Sequence, residues 1–124
     1  MKYSIFDKII YKKIKTEAET INVWQLGVFD NSMYELVELV EGQYYPPHKH
    51  NKSEAKLHII FGKGIIIINK KENNYKKGDM FFIPKGISHG FRVKKQTLLL
   101  SINTPPIIDS ETGEVDVEYL GVKK

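Results

Sequence analysis

The sequence predicts a single all-β domain, mostly antiparallel strands closed into a sandwich or barrel, and three observations lead there. Apolar segments rich in β-branched and aromatic residues recur at near-regular intervals from residue 20 to residue 103. Turn-forming clusters separate them: Gly62-Lys63-Gly64, Glu72-Asn73-Asn74, Lys77-Gly78-Asp79, Pro84-Lys85-Gly86 and Lys94-Lys95. No long helical periodicity lies between. The length, 124 residues, is that of one domain, so residues 1–124 are read as one unit with a single core. Such a chain buries enough surface to fold without a metal or disulfide staple, so a metal site here would serve function.

The elements follow in order. An apolar N-terminal segment, Ile5-Phe6 to Ile9-Ile10, suits strand exchange or sheet extension across a twofold axis, and a homodimer is expected. Residues 20–27 alternate Ile21, Val23 and Gln25 against Asn22, Trp24 and Leu26, the period of a strand buried on at least one side. Residues 33–42 place Glu35, Glu38 and Glu41 three apart, which taken alone favours an amphipathic helix. Their short span, their β-branched and aromatic content and the run into Gly42-x-x-x-Pro46-Pro47 favour a strand, and a strand is expected. Residues 57–61, 65–69, 80–84, 90–93 and 97–103 complete the set. Gly62-Lys63-Gly64 reads as a hairpin turn, because no helix follows it to make a phosphate loop. After Pro105-Pro106 the chain turns acidic, and Val115 and Val117 alternate with acids as in an edge strand.

Composition excludes several functions. There is no cysteine, hence no disulfide scaffold, thiol nucleophile or Cys-ligated cluster. The longest apolar run, Ile65-Ile66-Ile67-Ile68, falls far short of the ~20 residues of a membrane helix, so no membrane partner is expected. The first residues lack a continuous apolar stretch and carry Asp7, which argues against a signal peptide and for a cytoplasmic protein. The net charge of +4 comes from dispersed lysines with Arg92 the one arginine, so no nucleic-acid partner is expected.

The histidines carry the functional information. On a strand, His48 and His50 leave the same face and can converge on one ion. His89 follows the tight Pro84-x-Gly86 turn. Aromatic residues Phe81, Phe82 and Phe91 read as core, and alternation lets one of Tyr44 and Tyr45 line a cavity.

The phrases GQYYPPHKH with Glu54, and GDMFFIPKGISH, resemble the two motifs of the cupin superfamily. Gly42, His48 and His50 match the first in spacing; Gly78, Pro84, Gly86 and His89 match the second. The resemblance covers residues 42–93, with flanking strands expected in 3–41 and 94–120. It implies a small single-domain cupin of the conserved-barrel type: a double-stranded β-helix, or jelly roll, with a metal inside. Two positions depart from the family pattern. Val93 stands where the second motif ends in Asn, and the family glutamate falls on Ala55 when counted back from Gly62 but on Glu54 when counted forward from His50. One residue of slip sends a side chain to the opposite face. Glu54 is therefore either a fourth ligand, or a base, or outside a site of three histidines. His58, which shares Glu54's face, is an outside candidate ligand.

His48, His50 and His89, with or without Glu54, suit a divalent Fe, Mn, Ni or Zn ion. The resemblance implies a metal-dependent enzyme on a small polar, carbohydrate-derived substrate, working by isomerisation or epimerisation, with Glu54 as the catalytic base if it is not a ligand. The alternatives are a non-heme iron dioxygenase and a non-catalytic, metal-dependent ligand-binding or sensing cupin.

Overall fold

The computed structural model describes residues 10–15, 20–108 and 115–119. Among them all regular structure is strand, and there is no helix long and apolar enough to cross a membrane. In chain order the strands are β1 (Ile10–Lys15), β2 (Thr20–Phe29), β3 (Ser32–Leu39), β4 (Tyr44–Lys49), β5 (Glu54–Ile68), β6 (Lys71–Tyr75), β7 (Met80–Ile83), β8 (His89–Thr104) and β9 (Glu118–Tyr119). Every pairing is antiparallel. The segment before Ile10 lies outside the described residues.

Two long strands organise the rest. β5 and β8 pair from Glu54↔Thr104 to Ile68↔His89, and each belongs to both layers of the barrel. In one layer β1, β2 and β3 lead to the second half of β8, which pairs the first half of β5 and then β7. In the other, β9 and β4 lead to the first half of β8, then the second half of β5 and β6. This is the double-stranded β-helix that the sequence predicts.

Three expected turns are not turns. Gly62-Lys63-Gly64 lies inside β5, Glu72-Asn73-Asn74 lies inside β6, and Lys94-Lys95 lies inside β8. The register shifts at Ile59/Phe61, Phe61/Lys63 and Lys63/Gly64, so the glycines mark bulges where the paired strands bend from one layer to the other. A Cβ on Gly62 would lie 2.4 Å from Thr97 Oγ1 and 2.6 Å from the Thr97 Cα, so only glycine lets β8 pass this close. Residues 32–39 form a strand, so the three-residue spacing of glutamates is not a helical face. Val115 forms an isolated bridge to Ile108, and the short edge strand begins at Glu118, beyond Val117.

Alternation turns Ile21, Val23, Leu39, Leu57, Ile59, Leu99 and Phe91 into one buried cluster between the layers. Val93, at the position of the family asparagine, is buried in the same cluster. Its backbone still ties the first motif down: Gly42 N–H donates to Val93 O and Val93 N–H donates to Gln43 O.

Gly90 holds β4 and β8 together beside the histidines. A Cβ there would lie 2.8 Å from both the Tyr45 carbonyl oxygen and the Pro47 nitrogen. Gly90→Ala should lower stability by about 1–3 kcal/mol, the usual cost of forcing an extra methyl into packed structure, as measured by urea unfolding.

Candidate metal centre

β4 carries the first two histidines into the barrel by a local irregularity. Tyr45 pairs Phe91 and His48 pairs His89, so three residues on β4 span two on β8. Without the extra residue, Tyr45 and His48 would face opposite sides; with it, both line the cavity. His50, two residues on, falls on the same side as His48, and His89 opens β8 directly opposite His48. The tight turn at Pro84 is tied to this group, because Gly86 N–H donates to the His50 carbonyl at 2.7 Å.

The three imidazoles are brought together. Their ligand atoms lie within 4.8 Å of one another, and all three residues are buried. Ring centroids are 4.2 Å apart for His48–His89, 5.2 Å for His48–His50 and 5.4 Å for His50–His89. Partners on the far side set the orientation. His50 Nδ1 lies 2.6 Å from the Asp116 carbonyl oxygen. A carbonyl only accepts, so Nδ1 carries the proton and the Nε2 lone pair is left for an ion. His48 Nδ1 makes a longer contact, 3.4 Å, to the Pro46 carbonyl. The Asp116 carboxylate in turn accepts from the backbone N–H of Asn51, Lys52 and Ser53, at 2.8, 2.8 and 3.1 Å, fixing the loop that follows His50.

Burial keeps the cluster neutral. Desolvation, with repulsion from His50, pulls the His48 imidazole down to about 3. Desolvation and then its two histidine neighbours push His89 well below the ordinary range, against the Ile87 carbonyl. His50 is lowered too, by desolvation, with the Asp116 carbonyl and carboxylate opposing. Neutral imidazoles are the form that binds a metal. His89 Nδ1 is buried and makes no hydrogen bond of ordinary geometry, with the Ile87 carbonyl as its nearest acceptor, and a buried nitrogen so placed has room for an ion or a water as partner. The donor set and this nitrogen fit a divalent ion.

Glu54 does not join the group. β5 takes the register that turns Ala55, Leu57 and Ile59 into the core, so Glu54, Lys56 and His58 face away from it. Neither Glu54 nor His58 lines the cavity; the correction to the fourth-ligand and base readings is one residue of strand phase. Sequence reasoning missed other groups. The cavity, about 470 Å³, is lined by Glu35, Ser101, Asn103 and Tyr119 as well as by the histidines, the apolar walls and Tyr45, the one of the two neighbouring tyrosines that faces inward. Glu35 occupies an inward position between Met33 and Leu39, and an acid on the apolar face of a strand was the signal for it. Asp116 gave no signal, because its role depends on a contact across 66 residues.

A model of the Cupin domain family matches residues 35–103. An uncharacterized protein of Aquifex aeolicus is 27% identical over 109 residues, 87% of this chain and 88% of that relative. Among solved structures, KdgF from Halomonas sp. superposes with a TM-score of 0.71 at 17% identity, over 83% of this chain and 94% of that one. Pac13 of Streptomyces, a nucleoside dehydratase, superposes with a TM-score of 0.69 at 15% identity, over 97% of this chain and 90% of that one.

The buried histidines make stability depend on pH with a definite sign. In the unfolded chain an imidazole titrates near 6.5, whereas in the fold His48 stays neutral to about 3. Below pH 6.5 the unfolded state takes up protons that the folded state does not, so stability is full above this value and falls as pH drops. The urea midpoint of metal-free protein should decline from pH ~6.5 to ~5, above the carboxylate range, and His89→Gln should flatten that slope.

Proposed function

This chain belongs to the cupin domain family, and on that premise we propose that it is a metal-dependent enzyme whose ion is held by His48, His50 and His89. The observation that carries the reading is the cluster of three buried, neutral histidines at the wall of a cavity of small-molecule size. The ion is a divalent Fe, Mn, Ni or Zn, as nitrogen ligands without sulfur suggest.

The substrate is small, polar and carbohydrate-derived, and the reaction is an isomerisation or epimerisation. When bound, the ion would polarise a chelated hydroxy-carbonyl and acidify the neighbouring C–H. The chain's own residues orient the ligands through the Asp116 and Pro46 carbonyls, and the walls formed by Val23, Leu57, Phe91 and Leu99 exclude water. The likeness to a nucleoside dehydratase supports acid–base chemistry on a hydroxyl-rich substrate as within this barrel's reach, by analogy of fold. A second reading, a non-heme iron dioxygenase, is favoured by a ligand group that, among the described residues, is three histidines and no carboxylate. Oxygen consumption by iron-loaded protein in the presence of substrate separates the two.

The working form is a homodimer in this proposal. Met80 and Phe82 on β7 and Ile60 and Phe61 on β5 are exposed, and Met80 and Phe82 share the face turned away from the cavity with Leu100 and Ile102, across His58 and Lys56 of β5. Light scattering should give twice the chain mass of 14.4 kDa; a monomer at micromolar concentration would remove the dimer.

Elemental analysis tests the centre itself. Alanine at His48, His50 or His89 should each remove most of the bound metal, while Glu54→Ala should retain it. Metal lost equally in Glu54→Ala would return the carboxylate to the ligand set.

A further inference from the structure

The bend that carries β5 and β8 from one layer to the other gathers charge as well as curvature. Lys63 lies in the bend of β5, Lys94 and Lys95 lie in that of β8, and Lys76 and Lys77 lie in the turn from β6 to β7. That turn is tied to the bend, because Gly78 N–H donates to the Ile59 carbonyl and Ile59 N–H donates to the Asp79 carbonyl, both at 2.8 Å. All five lysines are exposed. Lysines dispersed along the sequence thus meet at one end of the barrel.

Three of them, Lys63, Lys76 and Lys94, line a cleft of about 450 Å³ together with Asn74, Tyr75 and Asp79. The cleft shares no described residue with the histidine cavity. Its one acid is already engaged: Asp79 Oδ2 accepts from the Lys76 backbone N–H at 2.9 Å, and Oδ1 lies 3.5 Å from Lys76 Nζ. The Tyr75 hydroxyl is engaged too. Thr97 Oγ1 donates to the Lys95 carbonyl, so the Tyr75 hydroxyl donates to Thr97 Oγ1. Lys63, Lys94 and Lys95 form no ion pair. Of the acids on the neighbouring strand and loop, Glu38 accepts from Asn22 and Gln96, and Glu41 stands outside the cleft.

This is not the arrangement of independent, solvated lysines. Lys63 and Lys95 are direct cross-strand partners, and like charges so placed are destabilising. The backbones are in contact here: a Cβ on Gly64 would run into the Arg92 carbonyl oxygen. The two strands therefore hold the positive charges at close spacing on a concave surface, where an anion offsets the repulsion.

We propose that this cleft is an anion site, separate from the metal centre, that takes the phosphate group of a small molecule. Lys63 and Lys94 match the two charges of a phosphate monoester, Lys76 adds a third ammonium, and Asn74 adds an amide donor. An ammonium is a compact point charge, which suits a phosphate approached from several sides without the planar fork of arginine. One cleft of small-molecule size, with no arginine in it, disfavours a nucleic-acid strand as the occupant. The site is independent of the enzyme reading and of the ion at the histidines.

The test is ¹H–¹⁵N NMR of the full chain titrated with inorganic phosphate and with pyrophosphate, on protein as purified and after metal removal. Saturable shifts should cluster at residues 62–64, 74–79 and 93–95, with a Kd for phosphate of about 1–10 mM at low salt. Pyrophosphate, which carries more charge, should bind at least about threefold more tightly, and both affinities should fall as salt is raised. Metal removal should change neither. Lys63→Gln and Lys94→Gln remove charge at exposed positions without unpacking the core; each should weaken pyrophosphate binding by about threefold or more, and the double variant should abolish it. Lys71→Gln, at the other end of β6, should leave it unchanged. No saturable binding of either anion, shifts that centre on the histidines and vanish with the metal, shifts spread evenly over the lysines, or wild-type affinity in the double variant would overturn the proposal. Binding of a DNA duplex in place of both small anions would overturn it in favour of a nucleic-acid surface.

Discussion

The antiparallel pairing of β5 with β8 runs from Glu54–Thr104 to Ile68–His89 and serves both layers of the barrel. Every other element reaches the cavity through it. β4 can present His48 to His89 only because the first half of β8 is already held by β5, and β3 can present Glu35 only because the second half is. The glycine-marked bulges at residues 62–64 are what let one pair of strands bend through both layers. A straight ladder of this length would make a flat ribbon with two wet faces; the bend makes an inside.

What the inside does to its side chains follows from low polarity. Imidazoles are neutral there, which readies them for an ion, and carbonyls of Pro46 and Asp116 point two of them. The same low polarity raises the Tyr45 hydroxyl well above its ordinary range, chiefly by desolvation, then through Tyr119 and Glu35, so it remains protonated beside the histidines. The cavity thus holds neutral imidazoles and a protonated tyrosine side by side.

Much of this was legible in the sequence, for identifiable reasons. The His-x-His pair and the Pro84-x-Gly86 turn before His89 are short-range patterns, and the alternation of strand faces carries them straight to the site. Glu54 was not decided, because its side depends on a single residue of phase between His50 and Gly62, and phase is set by pairing with Asn103 and Ile83 on other strands. Glu35 was hidden by its neighbours: with Glu38 and Glu41 it imitates a helical repeat, and only the strand pairing separates the inward acid from the others. Gly62-Lys63-Gly64 looked like a turn because glycine permits both a reversal and a close crossing, and local sequence does not distinguish them.

The contact from His50 to Asp116 spans 66 residues, and His48 meets His89 across the intervening β5, β6 and β7. Synthesis runs in one direction, so both early histidines leave the ribosome long before the strand and the carbonyl that orient them. A nascent chain therefore exposes an unassembled pair of imidazoles with no enclosed site. An ion held by these histidines would in this way be taken up late in biogenesis, by chains whose barrel has already closed.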